Sequence, residues 1–285
     1  MAFATAVCGV FSVLVSLSAV TLRERQETNR RLDRQRNILM VAGLAAEDER
    51  LTAQKAGELF REHIEPRLID LRTGEEAAGI DPSAYDQRRA LADPAMSMPA
   101  PANDAKVVRL PRYGLIHFVR RGGALEGVVL PVEGKGLWST IYGYLALEPD
   151  LRTIKGITFY EHGETPGLGG EIENARWRAS WRGKRAFDEE GRPVFQVKKG
   201  LAGTDPHAVD GLAGATLTAR GVMHLVRFWL GESGYGGYLR RLALEAAGPA
   251  GAERASESEA DEPTGAGQAP ESEAGGTAGD AEARR

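Results

Sequence analysis

Two short stretches hold the residues best suited to chemistry. The first is Asp210-Gly211-Leu212-Ala213-Gly214-Ala215-Thr216-Leu217-Thr218. Its glycines let the backbone turn sharply and be approached closely, and its two hydroxyls read as exposed to a docking ligand. Val222, Leu225, Val226 and Trp229 then recur at the i, i+3, i+4, i+7 spacing of one buried helix face. Thr216 therefore lies just ahead of a helix start. Free backbone N–H groups and the positive end of the helix dipole favour a phosphate at such a place. The same run also reads as a plain Gly-rich turn with Thr218 as the helix N-cap.

The second stretch is Glu161-His162-Gly163-Glu164-Thr165-Pro166-Gly167-Leu168-Gly169-Gly170-Glu171. Gly167, Gly169 and Gly170 around Leu168 make a loop that can lie flat against a planar ligand, with Leu168 as an apolar cover and Thr165 as a hydrogen-bonding group. General acid–base catalysis by Glu164 and His162 is the rival reading. No nucleophile or second base is identifiable beside them, and a His–Glu pair at this spacing is a poor metal signature. No metal site is expected.

The first stretch resembles the flavinylation motif of covalent FMN-binding subunits in bacterial redox pumps, Asp-Gly-x-Ser/Thr-Gly-Ala-Thr, whose last Thr carries FMN through a phosphoester. Asp210, Gly211, Gly214, Ala215 and Thr216 match, and Ala213 stands where the family has Ser or Thr. Gly134-Lys135-Gly136-Leu137-Trp138, the 163–171 loop, Trp177, Trp181, Gly183-Lys184 and this motif occur in the order found in the NqrC family, the C subunits of Na⁺-translocating NADH:quinone reductases. The Thr-Pro-Gly-Leu-Gly run and the flavinylation motif are shared with the G subunit of Rnf complexes, which use another electron donor. A membrane-tethered FMN module outside any pump is the remaining alternative.

The resemblance implies FMN covalently held on Thr216, with Asp210, Gly214, Ala215, Thr218, Thr165, Gly167, Leu168 and Gly169 around it. It also implies a late lysine, Lys199 or its neighbour Lys198, near the cofactor. An unassisted Thr hydroxyl is a weak nucleophile, so attachment calls for a dedicated flavin transferase. The implied role is an electron relay with no turnover of its own. Electrons from NADH would pass through FAD and iron–sulfur centres to this FMN, then to the FMN of the B subunit and to ubiquinone, coupled to Na⁺ export. The implied partners are the other members of a six-subunit complex in the bacterial inner membrane, with the flavin domain on the periplasmic side.

Periodicity and composition define the elements that carry these loops. Residues 1–22 have no charged side chain and would cross a bilayer as a helix of roughly 30 Å. They read as a retained single-pass anchor, because no basic residue precedes the apolar core as in a signal peptide. Arg23, Arg25, Arg30, Arg31, Arg34 and Arg36 come next. By the positive-inside rule they would hold the domain in the cytoplasm. A longer natural chain, with a basic segment upstream of Met1, would reconcile this with a periplasmic domain.

Residues 23–106 read as a helical and linker region, with helices over 23–44 and 52–63 and a Pro-rich connection over 72–105. Strands are expected from about Val107, with a hairpin at Arg120-Arg121-Gly122-Gly123. The fold class is thus α+β: an FMN-binding domain over 107–245 with a mainly antiparallel sheet and flanking helices. Trp138, Trp177 and Trp181 read as packing residues, Trp138 being the one placed to approach a flavin. A terminal helix is expected over 238–247.

The chain has 285 residues, 42% hydrophobic and 27% charged, with net charge −4. Nine acidic residues against Arg254, Arg284 and Arg285 place −6 in residues 246–285, leaving +2 for the rest. That segment reads as a disordered acidic tail, and nothing indicates a nucleic-acid surface. With Cys8 as the single cysteine, internal disulfides and self-contained iron–sulfur clusters are excluded.

Overall fold

The computed structural model describes residues 2–46, 49 and 51–247. In chain order the elements are α1 (Ala2–Val41), α2 (Ala53–His63), β1 (Ile64–Asp70), β2 (Glu75–Glu76), α3 (Gln87–Ala92), β3 (Ser97–Pro99), β4 (Arg109–Pro111), β5 (Tyr113–Arg121), β6 (Ala124–Lys135), β7 (Thr140–Leu147), β8 (Ile154–Glu161), a 3₁₀ helix (Gly169–Glu173), α4 (Ala175–Ala179), β9 (Gln196–Val197), β10 (Ala208–Val209), α5 (Thr216–Leu230) and α6 (Gly236–Ala247). The chain divides into two compact units, residues 1–243 and 244–285. The described part of the second, residues 244–247, is the end of α6, and most of the expected acidic tail lies outside the described residues.

A six-stranded sheet in the order β2-β1-β5-β6-β7-β8 forms the frame, with every neighbour antiparallel. Alternation along the strands sends side chains to two different cores. Ile116, Phe118, Val128, Leu130, Val132, Ile141 and Leu145 face one way, where they meet Val222, Leu225, Val226 and Trp229 of α5. Val119, Val129, Tyr144 and Ala146 face the other way, where Ile38, Leu39, Val41 and Ala56 from α1 and α2 cover them. The β5–β6 connection is the expected tight hairpin: Gly122 and Gly123 take φ of +57° and +87°, values that favour glycine.

Three expectations are revised. Strands begin at Ile64, not near Val107: α2 runs straight into β1, which pairs along its whole length with β5. Pro66, which reads as a helix stop, is tolerated because β2 covers only Ile69 and Asp70, leaving the other edge at Pro66 open. The apolar run and the helix after it are one unbroken element, because no Gly or Pro interrupts residues 10–41. The Pro-rich connection also contains α3, capped by the Asp86 carboxylate, which accepts from the N–H groups of Arg88 and Arg89.

Within α1, Phe3–Arg23 is long and apolar enough to cross a membrane, and none of it is buried. Its far end is core. Arg34 of α1 pairs with Asp86 at 2.9 Å, and Arg88 of α3 pairs with Glu161 of β8 at 2.6 Å, so ion pairs flank the joint.

Candidate functional site

The start of α5 is built by glycines that let it lie close to β6. A side chain at Gly221 would strike the carbonyl of Lys135, and one at Gly134 would come within 2.5 Å of Leu225. Ahead of the helix, the Ala215 N–H donates to the Leu212 carbonyl at 3.1 Å, closing a turn in which Gly214 takes φ +72°. Ala215 is the N-cap and supplies no side-chain hydrogen bond, so the first-turn N–H groups of α5 have no side-chain cap. Thr216, the first helical residue, is exposed.

Thr218 is placed differently from expectation. Only 1% exposed, it donates its hydroxyl to Glu164 Oε2 at 2.6 Å. Two residues on a helix differ by ~200° in direction, so when one hydroxyl faces solvent the other faces the core. Thr218 therefore neither caps the helix nor stands open to a ligand.

Glu164 is the hub beneath the site. Besides Thr218, its carboxylate accepts from the N–H groups of Leu137 at 3.2 Å, Trp138 at 3.0 Å and Ser139 at 3.3 Å. Burial pushes its pKa up, but the Thr218 hydroxyl and these backbone donors outweigh that and hold it below the usual carboxylate value. Gly136 and Gly169 leave the space the carboxylate fills: a side chain at either would come within 3.0 Å of it. His162 Nδ1 accepts from the Glu164 N–H at 3.2 Å, and its Nε2 lies 3.0 Å from Glu173. With both groups engaged in holding the loop, the acid–base reading has no free pair to work with.

The other expected residues converge on the same end of α5. The Thr165 carbonyl accepts from the N–H groups of Leu168 and Gly170, and Gly167 takes φ +76°. Leu168 reaches over Gly214, within 3.0 Å of where a side chain would begin. Thr165 and Leu168 are exposed there. Asp210 is structural in two ways: its carboxylate accepts from the Ala202 N–H at 2.6 Å, and its carbonyl accepts from Trp177 Nε1 at 2.8 Å. These bonds, with the Gly211 N–H donating to Gly200 O, tie the loop carrying Lys199 to the turn before Thr216. Lys198 pairs with Asp205 at 3.2 Å. Lys199 is exposed and makes no ion pair with a described residue, which leaves it the better placed of the two cations for a ligand.

Trp177 and Trp181 are buried, whereas Trp138 is exposed together with Leu137, Leu168, Leu201 and Leu217. Those five lie in the loops around Thr216 or in the first turn of α5. Sequence reading had Leu168 and Trp138 of this rim but missed Leu137, Leu201 and Leu217, and it missed the hub role of Glu164. The only cue to the hub was an acid set among glycines, which does not say what it contacts. An uncapped helix start, an exposed hydroxyl on it, a nearby lysine and an apolar rim fit a phosphate with a flat apolar body attached. The residues present thus fit FMN.

Residues 136–231 match the FMN-binding domain family, so the match includes both motifs and α5. The C subunit of the Na⁺-translocating NADH-quinone reductase of Yersinia pestis is 48% identical over 239 residues, covering 82% of this chain and 89% of the relative. That of Pseudomonas aeruginosa is 44% identical over 247 residues, covering 84% and 93%. Among solved structures, Shewanella oneidensis NqrC superposes with a TM-score of 0.67 at 36% identity, covering 73% of this chain and 95% of that one. The corresponding protein from Parabacteroides distasonis gives 0.59 at 29% identity, covering 76% and 96%. With relatives this similar matched over nearly their full length, an FMN-binding domain behind a membrane-spanning helix places the chain in the NqrC family, the C subunits of the Na⁺-translocating NADH-quinone reductases.

Proposed function

We propose that Thr216 carries FMN through a phosphoester and that the chain relays electrons within the six-subunit reductase. The observation that carries this reading is the exposed Thr216 hydroxyl on an α5 start with no side-chain cap. Condensing a hydroxyl with free FMN is uphill, so the donor must be a flavin whose phosphate is part of an anhydride. The Thr216 oxygen bonds to that phosphorus, the anhydride P–O bond breaks, a nucleoside monophosphate leaves and the hydroxyl proton goes to a base. Glu164 and His162 are both engaged in holding their loop, so a separate flavin transferase supplies that base.

The α5 N–H groups and Lys199 would hold the phosphate charge, and Leu168, Trp138 and Thr165, all exposed beside the α5 start, would serve the ring as apolar cover and hydrogen-bonding group. Once bound, FMN would supply the electron carrier for the proposed relay toward the FMN of the B subunit and ubiquinone, with Na⁺ export. The covalent tether keeps the carrier at one address. The domain stands on the periplasmic side. Of the arginines that argue otherwise, Arg34 is paired with Asp86 and Arg36 donates to Leu51 O, so the fold itself accounts for two of the six.

The test is a denaturing gel of the native-host protein under ultraviolet light, beside a Thr216→Val variant. A fluorescent band in the wild type alone is the expected result. A dark wild-type lane with the transferase present would end the covalent reading and point to Ala213 as the disabling departure.

A further inference from the structure

We propose that Glu164 is a positioning residue for flavin attachment: it turns the first turn of α5 so that Thr216 is presented and Thr218 is withheld. The proposal rests on Thr216 being the acceptor. The turn carries two threonines on opposite sides of the helix, and a rotation of the helix start by about half a turn would exchange them. One carboxylate fixes that rotation. Thr218 Oγ1 donates to Glu164 Oε2 at 2.6 Å, and the same carboxylate is held by the N–H groups of Leu137, Trp138 and Ser139.

Those three amides belong to the turn between β6 and β7, the sheet hairpin against which α5 packs. The helix start is therefore referenced to the rigid frame through Glu164. Ser139 adds a second tie, its Oγ accepting from the Gly163 N–H at 2.6 Å. Gly136 and Gly169 keep the slot open for this arrangement. A glutamine at 164 offers one acceptor oxygen in place of two and aims N–H groups at donors already there. Loss of the carboxylate is therefore felt at both ends of the bridge.

The experiment uses the full-length chain in membranes with the flavin transferase and a flavin dinucleotide donor, following fluorescence on the polypeptide with time. Glu164→Gln and Thr218→Val should each slow attachment at least about tenfold, the value of one hydrogen bond to a buried charge. The double variant should be no slower than Glu164→Gln alone, because the bond that Thr218→Val removes is already lost with the carboxylate. Thr218→Ser, which keeps the hydroxyl, should restore the wild-type rate.

Hydrogen exchange on the flavin-free chain gives an independent readout. The amides of residues 137–139 should lose protection in Glu164→Gln, while those of β6 and β7 stay protected. Equal attachment rates in wild type and Glu164→Gln would overturn the proposal. So would multiplicative losses in the double variant, or loss of protection across the whole sheet. Absence of label from the wild type would instead overturn the acceptor assignment, a separate outcome.

Discussion

His117 shows what one buried side chain does to the acid response of the fold. It is 4% exposed, between Phe60 at 6.1 Å and Tyr144 at 6.3 Å. Burial pushes its pKa from 6.5 to about 4, against a backbone hydrogen bond at Val129 and with the help of Arg34. The native ring stays neutral while the unfolded one takes up a proton as pH falls through 6.5. Stability is thus lost between pH 6.5 and 4, by up to ~3 kcal/mol. Glu133 acts in the opposite sense: burial raises its pKa to about 7, with Arg88 opposing, so its share is lost as pH rises toward 7. Denaturant unfolding at pH 4.5 and 7.5 should show His117→Phe gaining on the wild type at the acid end, and Glu133→Gln gaining at the neutral end. The sequence makes the helix start at Thr216 legible, because glycines precede it and apolar residues at helical spacing follow. It hides the burial of Thr218 and His117, since each depends on what a distant strand or loop places against it.

Among the elements, α5 was the most legible, because its apolar positions repeat at helical spacing and all four are fully buried in the structure. The strands from β5 to β8 were readable from short runs of β-prone residues. β1 was not: it comes after α2 without a turn signal and contains a proline. Disturbing α5 carries a definite cost. Leu225→Ala should lower unfolding free energy by about 2–5 kcal/mol through the cavity it leaves. Gly221→Ala should cost about 1–3 kcal/mol by forcing a methyl against the Lys135 carbonyl. The second change should also reduce flavin attachment, because it lifts the helix start from β6. Chemical unfolding of both variants, with band fluorescence alongside, checks this.

The whole molecule is organised by α1, which is membrane helix at one end and domain core at the other. Its buried side chains among the described residues are in the last turn, Ile38, Leu39 and Val41. Removing residues 2–31 should therefore leave a soluble domain that melts within a few degrees of the parent in detergent. Removing residues 2–42 should strip the cover from Val119, Val129 and Tyr144 and give aggregated protein on gel filtration.

The unbroken course of α1 also acts as a compass bearing. Each residue added to a helix turns the chain beyond it by ~100° and raises it by ~1.5 Å. The number of residues between the bilayer and Ile38 thus sets the azimuth at which the α5 start looks across the membrane plane. One alanine inserted after Arg25 should point the site away from its redox neighbours and cut electron transfer through the complex, with flavin attachment intact. Seven alanines, which bring the direction back to within ~20°, should restore the heading while raising the site by ~10 Å. Comparing the two insertions separates the demand for direction from the demand for height.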